Sequence, residues 1–338
     1  MYCPRLRHFA RLNQNGSVGR CGHMVNALGF KTFKELDESQ WLQNIEDTMA
    51  KDKWPAECVR CEQTEKVSGE SIRTKSIERH NILHPLKKNY LVVGGVLDNV
   101  CNSACQTCNA GLSTKIGSLE TKNYVKVDNI NTFWDLPQDR ILEVDVNGGE
   151  PTASKNYKKL LANLPPKTKI VRMNTNGSRL INELEDILKN KIMVIVTLSL
   201  DGVQKTHDYV RWPIKWTNYT ESVTKYKNLQ KEYPLLKLNT WTTVSSLNIS
   251  NLPKILDFTS NHNLDHDWAF LDKPNVLNVK YKNRFTEKAK INLQSSSYPQ
   301  CNKIADSVAI AGDNDAGIME FIKQQDNLRK IDYTEYML

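Results

Sequence analysis

Residues 91–108 read Leu91-Val92-Val93-Gly94-Gly95-Val96-Leu97-Asp98-Asn99-Val100-Cys101-Asn102-Ser103-Ala104-Cys105-Gln106-Thr107-Cys108, and this stretch decides the reading of the chain. An apolar, β-branched run that suits a buried strand feeds directly into a loop with C-x3-C-x2-C spacing. A closed structural zinc site takes four protein ligands. Three thiolates on one short loop can instead hold three irons of a four-iron cluster and leave the fourth open. A small molecule can bind at an open iron.

Outward from this stretch, short β-branched runs alternate with helical ones. Strands are expected at Tyr90 to Leu97, Ile141 to Val146, Lys169 to Met173, Met193 to Leu200, Lys237 to Val244 and Asp267 to Leu271. Helices are expected near Asn156 to Asn163, Leu180 to Lys189, Asn218 to Lys231 and Asn251 to Ser260, with Pro253 in the first turn of the last. This alternation predicts an α/β fold with a parallel sheet and right-handed crossovers over residues 88–280. Residues 1–87 differ, with few strand runs, four of the eight cysteines and a polar helical stretch from Phe33 to Met49. They read as a small domain that needs a metal for stability. Residues 281–338 read as an extension with Ser295-Ser296-Ser297 and a closing helix.

At 338 residues and 39% apolar content the chain can bury a sizeable core. No run is long enough to span a bilayer and the first residues lack the apolar core of an export signal, so a reducing cytoplasm is expected. In that setting cysteines at metal-ligand spacings read as ligands, not disulfides. The net charge of +8 favours anionic partners without specifying them.

Three further motifs follow strands. Asn147-Gly148-Gly149-Glu150-Pro151 combines two glycines that permit close backbone approach with a carboxylate that can accept from a cation; a tight turn is the alternative. Asn174-Thr175-Asn176-Gly177 follows the third strand, and Ser199-Leu200-Asp201-Gly202 closes the fourth with a hydroxyl and a carboxylate, or with a plain Asp-Gly turn.

The order of these motifs resembles the radical S-adenosylmethionine (radical SAM) superfamily. The resemblance implies a partial (β/α)6 TIM-like barrel. It implies that Cys101, Cys105 and Cys108 hold a [4Fe-4S] cluster whose open iron is chelated by S-adenosylmethionine. Glu150 and the preceding Gly148 and Gly149 would meet the amino group of that cofactor, Ser199 and Asp201 would lie at the ribose, and Pro151 and Asn176 are further cofactor-binding candidates. The family often carries an aromatic residue just before the third cysteine, and this chain has Thr107. The resemblance also implies a 5′-deoxyadenosyl radical that removes hydrogen from a substrate, and an electron donor of the flavodoxin or ferredoxin type.

Cys3, Cys21, Cys58 and Cys61 resemble the ligands of a SPASM or twitch module, here placed before the barrel, and Cys61-x3-Glu65-x3-Gly69-x-Ser71-x-Arg73 resembles the same subgroup. An auxiliary [4Fe-4S] cluster is implied, with a four-thiolate zinc knuckle as the alternative. His207-Asp208-Tyr209-Val210-Arg211 resembles a stretch common in those enzymes, in which Arg211 would pair with a carboxylate of cofactor or substrate, or simply be solvated. Cys301 reads as a buried hydrophobe, or as an extra thiol at the site.

Related enzymes act on peptides or proteins, so a peptide or protein substrate is expected, with the auxiliary cluster accepting the electron left on it. A nucleic-acid substrate is the alternative, because Lys205, Arg211, Lys215, Lys225, Lys227, Lys231 and Lys237 interleave with Tyr209, Trp212, Trp216, Tyr219, Tyr226 and Tyr233. A non-enzymatic electron-transfer protein would have no need of the motifs at the later strand ends.

Overall fold

The computed structural model describes residues 1–86, 89–120 and 124–336. Six strands follow the expected runs: β3 (Leu91–Asp98), β4 (Ile141–Gly148), β5 (Ile170–Thr175), β6 (Met193–Ser199), β7 (Leu236–Val244) and β8 (Asp265–Phe270). All pair in parallel and in chain order, as repeated strand–helix crossovers require. Helices Lys155–Ala162, Leu184–Lys189, Trp216–Glu232 and Leu252–Asn261 occupy the crossovers. Leu184, Ile187, Tyr219, Val223, Tyr226, Ile255 and Phe258 from three of them pack on Val194, Val196, Leu198, Leu236 and Leu238 of the sheet.

Two strands come from outside the expected set. β1 (Phe9–Leu12) pairs in parallel with β3, and β2 (Val18–Gly19) pairs antiparallel with β1, so the sheet has eight strands in the order β2-β1-β3-β4-β5-β6-β7-β8. Residues Ala10, Leu12, Val18, Phe33 and Leu36 thereby share one apolar cluster with Leu91, Val93, Leu97, Val144 and Val146. The first residues therefore lie within the main sheet, although the sequence reads there as a separate unit. The boundary expected between residues 87 and 88 falls on residues outside the described set.

The polar stretch from Phe33 to Met49 is two helices, Phe33–Asp37 and Gln40–Ala50. Ser39 breaks it, because its hydroxyl accepts from the Leu42 N–H at 3.2 Å and starts a new helix. Helix Leu184–Lys189 begins four residues later than expected, and the sequence before it runs through a turn. Beyond β8, helices Arg284–Gln294, Pro299–Ala305 and Asp315–Arg329 form the extension. Among the described residues no helix is long and apolar enough to cross a membrane.

A buried charge network ties helix Ile72–Leu83 to the sheet. Arg79 Nε donates to Glu143 at 2.8 Å, Arg79 also reaches Asp145 at 3.0 Å, and Arg172 donates to Glu143 at 2.5 Å. Glu143 has no exposed surface, so each guanidinium offsets the desolvation of a carboxylate.

Candidate functional site

β3 delivers the cysteine loop to the edge of the sheet where the parallel strands end. The loop is held from several sides. Cys101 N–H bonds to Thr114 Oγ1 at 3.2 Å, Ala104 N–H to the Trp212 carbonyl at 2.7 Å, and Gln106 N–H to the Val210 carbonyl at 2.9 Å. Ser103 Oγ lies 3.2 Å from the Cys101 sulfur and 3.6 Å from the Cys105 sulfur. Burial first, and then the Cys105 thiol, pushes Cys101 up. Cys108 is pushed up to about 12 by burial, with Cys105 next in effect. The three thiols therefore share one poorly solvated corner.

Gly148 and Gly149 explain how β4 reaches that corner. Gly149 N–H donates to the Asp98 carbonyl and Glu150 N–H to the Val100 carbonyl, each at 2.8 Å. Gly148 has φ +146°, and a Cβ there would stand 2.0 Å from Asp98 O; at Gly149 it would stand 1.9 Å from Val100 O. The close approach that these glycines allow is to the backbone at the root of the cysteine loop. Pro151 is buried in the turn that follows.

Glu150 is 1% exposed and its carboxylate is ringed by donors. Oε1 accepts from Thr175 Oγ1 at 2.7 Å, Thr152 Oγ1 at 2.9 Å and Thr152 N–H at 3.1 Å; Oε2 accepts from Asn176 N–H at 2.7 Å. Burial raises its pKa, and these donors oppose the rise. Asn176 then passes the connection to the loop, its Nδ2 donating to Asn102 Oδ1 at 2.7 Å. The ends of β3, β4 and β5 are thus joined through Glu150 and Asn176. Oε2 takes one hydrogen bond among these contacts and keeps lone-pair capacity for a further donor.

Ser199 ends β6 and is partly exposed, whereas Asp201 is 2% exposed and already engaged. Its Oδ2 accepts from Arg211 Nη1 at 2.8 Å and its Oδ1 from Thr243 N–H at 2.8 Å. Arg211 therefore pairs with a carboxylate of its own chain, and Asp201 spends its acceptors on Arg211 and β7. Burial alone would lower Arg211; Cys105, Asp201 and Cys101 outweigh it and hold the guanidinium firmly charged beside the thiols.

Cys3, Cys21, Cys58 and Cys61 line one cavity, together with Arg5, His23, Trp54 and Arg73. All four are buried. Burial raises Cys3 to about 11 and Cys58 to about 12, and the neighbouring thiols add to both. The spacing after Cys61 has a local explanation. Gly69 (φ +73°) caps helix Val59–Ser68, Ser71 caps the next helix and donates to Glu65 at 2.5 Å, and Arg73 grips Glu65 at 2.9 and 2.5 Å. Arg73 also donates to the Tyr2 carbonyl at 3.0 Å, next to Cys3. Among the described residues no three Cys, His, Asp or Glu side chains converge closely enough to be holding an ion as they stand.

The two thiol sets lie at opposite edges of the sheet. Cys3 precedes β1 and Cys21 follows the antiparallel β2, at the edge where β3 begins; the loop with Cys101 lies where β3 ends. Cys301 has no exposed surface and packs in an apolar cluster with Leu252, Leu293 and Ile304. In the basic stretch Tyr209, Tyr219 and Tyr226 are fully buried, while Lys205, Lys215, Lys225, Lys231 and Lys237 are exposed, so these rings pack the core and leave the charges to water. Sequence reasoning missed Arg329, which reaches the cysteine loop from the far end of the chain; no local pattern marks it.

No family model and no curated protein matches this chain. Several solved structures are similar to it in part. "Native anSMEcpe with bound AdoMet" is 15% identical with a TM-score of 0.41, over 71% of this chain and 62% of that one. "Crystal structure of Streptococcus suis SuiB bound to S-adenosylmethionine" is 13% identical with a TM-score of 0.43, over 94% and 69%. The same protein bound to precursor peptide SuiA is 14% identical with a TM-score of 0.41, over 97% and 70%.

Proposed function

We propose that this chain is a radical SAM enzyme acting on a peptide or protein, with β3 to β8 as its partial barrel and residues 1–87 as a twitch-like module whose β1 and β2 extend the barrel's sheet. The observation that carries the reading is the link from Glu150 through Asn176 to the loop of Cys101, Cys105 and Cys108. Three thiols with no fourth, set beside a buried carboxylate with spare acceptor capacity, suit a cluster with one open iron and an amino group bound next to it. When bound, the cluster and S-adenosylmethionine supply reductive cleavage of the sulfonium and a 5′-deoxyadenosyl radical.

The protein's own groups have separate tasks. Cys101, Cys105 and Cys108 hold the metal, and Ser103 Oγ fixes the spacing of the first two thiols. Glu150 orients the amino group through Oε2, while Asn176, Thr175 and Thr152 donate to that carboxylate and oppose the upward pKa shift that burial imposes. Arg211 balances the thiolate charge and is itself fixed by Asp201. Ser199 is the free hydroxyl at the end of β6 and the better candidate for a ribose contact. Cys3, Cys21, Cys58 and Cys61 form a closed four-thiolate set, either an auxiliary [4Fe-4S] cluster or zinc.

Anaerobic reconstitution, dithionite reduction and chromatography for 5′-deoxyadenosine test this function. Product from the native chain, and none from Cys105→Ala, is expected; a folded, iron-loaded chain that yields none with candidate peptides overturns the enzyme. Metal analysis of Cys58→Ser separates the centres: a loss of about four irons indicates the auxiliary cluster, whereas a loss of zinc indicates the knuckle.

A further inference from the structure

Arg329 ends the helix Asp315–Arg329 and is 5% exposed, although it lies 225 residues from the cysteine loop it touches. Its Nε donates to the Ala104 carbonyl at 2.8 Å, and its Nη2 makes a longer contact of 3.4 Å to the Cys105 carbonyl. Its Nη1 is held by Gln325, at 2.6 Å to Oε1 and 3.2 Å to the carbonyl. The guanidinium is thus fixed on the helix side and directed at the loop.

The helix that carries it is anchored. Ile318 and Ile322 pack with Tyr209 and Val210, Tyr209 Oη donates to Asp326 at 2.8 Å, and Tyr333 N–H donates to the same carboxylate at 2.8 Å. Val210 and Trp212 in turn receive the N–H groups of Gln106 and Ala104. Residues 104–106 are therefore held by their N–H groups on one side and by their carbonyls on the other.

We propose that Arg329 is a positioning residue for the three-cysteine loop: it clamps the Ala104 and Cys105 carbonyls and sets a fixed positive charge beside Cys105, making the cluster easier to reduce. The proposal rests on the radical SAM reading for its second half only. A carbonyl bound to a cation also draws less strongly on the loop's own N–H groups, and a charge-assisted bond of this kind is among the stronger ones in a protein. Near a buried redox centre, a positive charge favours the state with one more electron.

The test uses the full chain as native protein, Arg329→Gln and Arg329→Lys. In metal-free protein, amide exchange across Cys101–Cys108 should rise about tenfold or more in the glutamine variant, because the loop opens locally without its clamp. In reconstituted protein, EPR-monitored redox titration should show the reduced-to-oxidised ratio at fixed potential falling about tenfold in that variant, equivalent to about 59 mV for one electron, with the lysine variant recovering most of the potential. Unchanged exchange in Arg329→Gln overturns the clamp, and an unchanged potential overturns the charge effect. If the native chain takes up no cluster, the radical SAM reading fails, and the exchange experiment still decides the clamp.

Discussion

Replacing Gly149 with alanine tests the junction on which the site rests. A Cβ at Gly149 would lie 1.9 Å from Val100 O and 2.4 Å from Val100 C, and both are backbone atoms with no rotamer to change. Relief requires the β4 turn and the cysteine loop to move apart. That movement opens the bonds from Gly149 N–H to Asp98 O and from Glu150 N–H to Val100 O, both 2.8 Å. Overpacking of this kind costs about 1–3 kcal/mol, and two backbone bonds at about 1 kcal/mol each bring the total to about 3–5 kcal/mol. That is a large share of a typical stability of about 5–15 kcal/mol. Urea unfolding of the metal-free chain measures it without depending on any cofactor. Gly312→Ala is the control, since a Cβ there meets nothing within 4 Å, and it should change stability by less than about 0.5 kcal/mol. A Gly149→Ala protein within about 1 kcal/mol of the native chain would refute the packing argument.

Arg79→Met leaves Glu143 and Asp145 without their shared cation and should cost about 3–5 kcal/mol by chemical denaturation. Burial holds Asp145 above its ordinary 3.8, so its share of stability is present below that value and is lost as pH rises through the folded one. The variant lifts the folded value further, and its deficit should widen as pH rises above 3.8. His207, pushed down to about 3 by burial and then by Arg211, gives the opposite sign: stability is present above 6.5 and lost as pH falls toward 3. His207→Phe should flatten that acid limb, whose slope reaches about 1.4 kcal/mol per pH unit, in a stability-versus-pH series. Asn176→Leu should cost about 1–3 kcal/mol and cut the yield of 5′-deoxyadenosine; a folded variant with normal yield would detach Asn176 from the site.

The later strands were legible because most are short β-branched runs alternating with helical periods, and parallel topology follows from that alternation; β8, Asp-His-Asp-Trp-Ala-Phe, has no β-branched residue. The candidate site was marked at the strand ends, where Cys101, Gly149 and Asn176 lie within three residues of β3, β4 and β5. What the sequence hid is long-range. Phe9–Leu12 is only four residues and gains strand character from pairing with β3. Asp201 and Arg211 looked free for a ligand because their mutual pairing depends on the turn between them. Arg329 contacts Cys105 only after helix Asp315–Arg329 folds back across the molecule, and a basic residue at a helix end carries no such message.

The placement of the two thiol sets at opposite edges of the sheet bears on how charge could travel. β3 has eight residues, and at about 3.3 Å per residue it separates the ends of the sheet by roughly 25 Å. An electron left on a substrate beside Cys101, Cys105 and Cys108 would have to cross about that length to reach Cys3, Cys21, Cys58 and Cys61. A metal held there is badly wired to that substrate and well placed to fasten the ends of β1 and β2. Chemistry at the other edge would then have to dispose of its own electron, within the product or back into the cluster it came from.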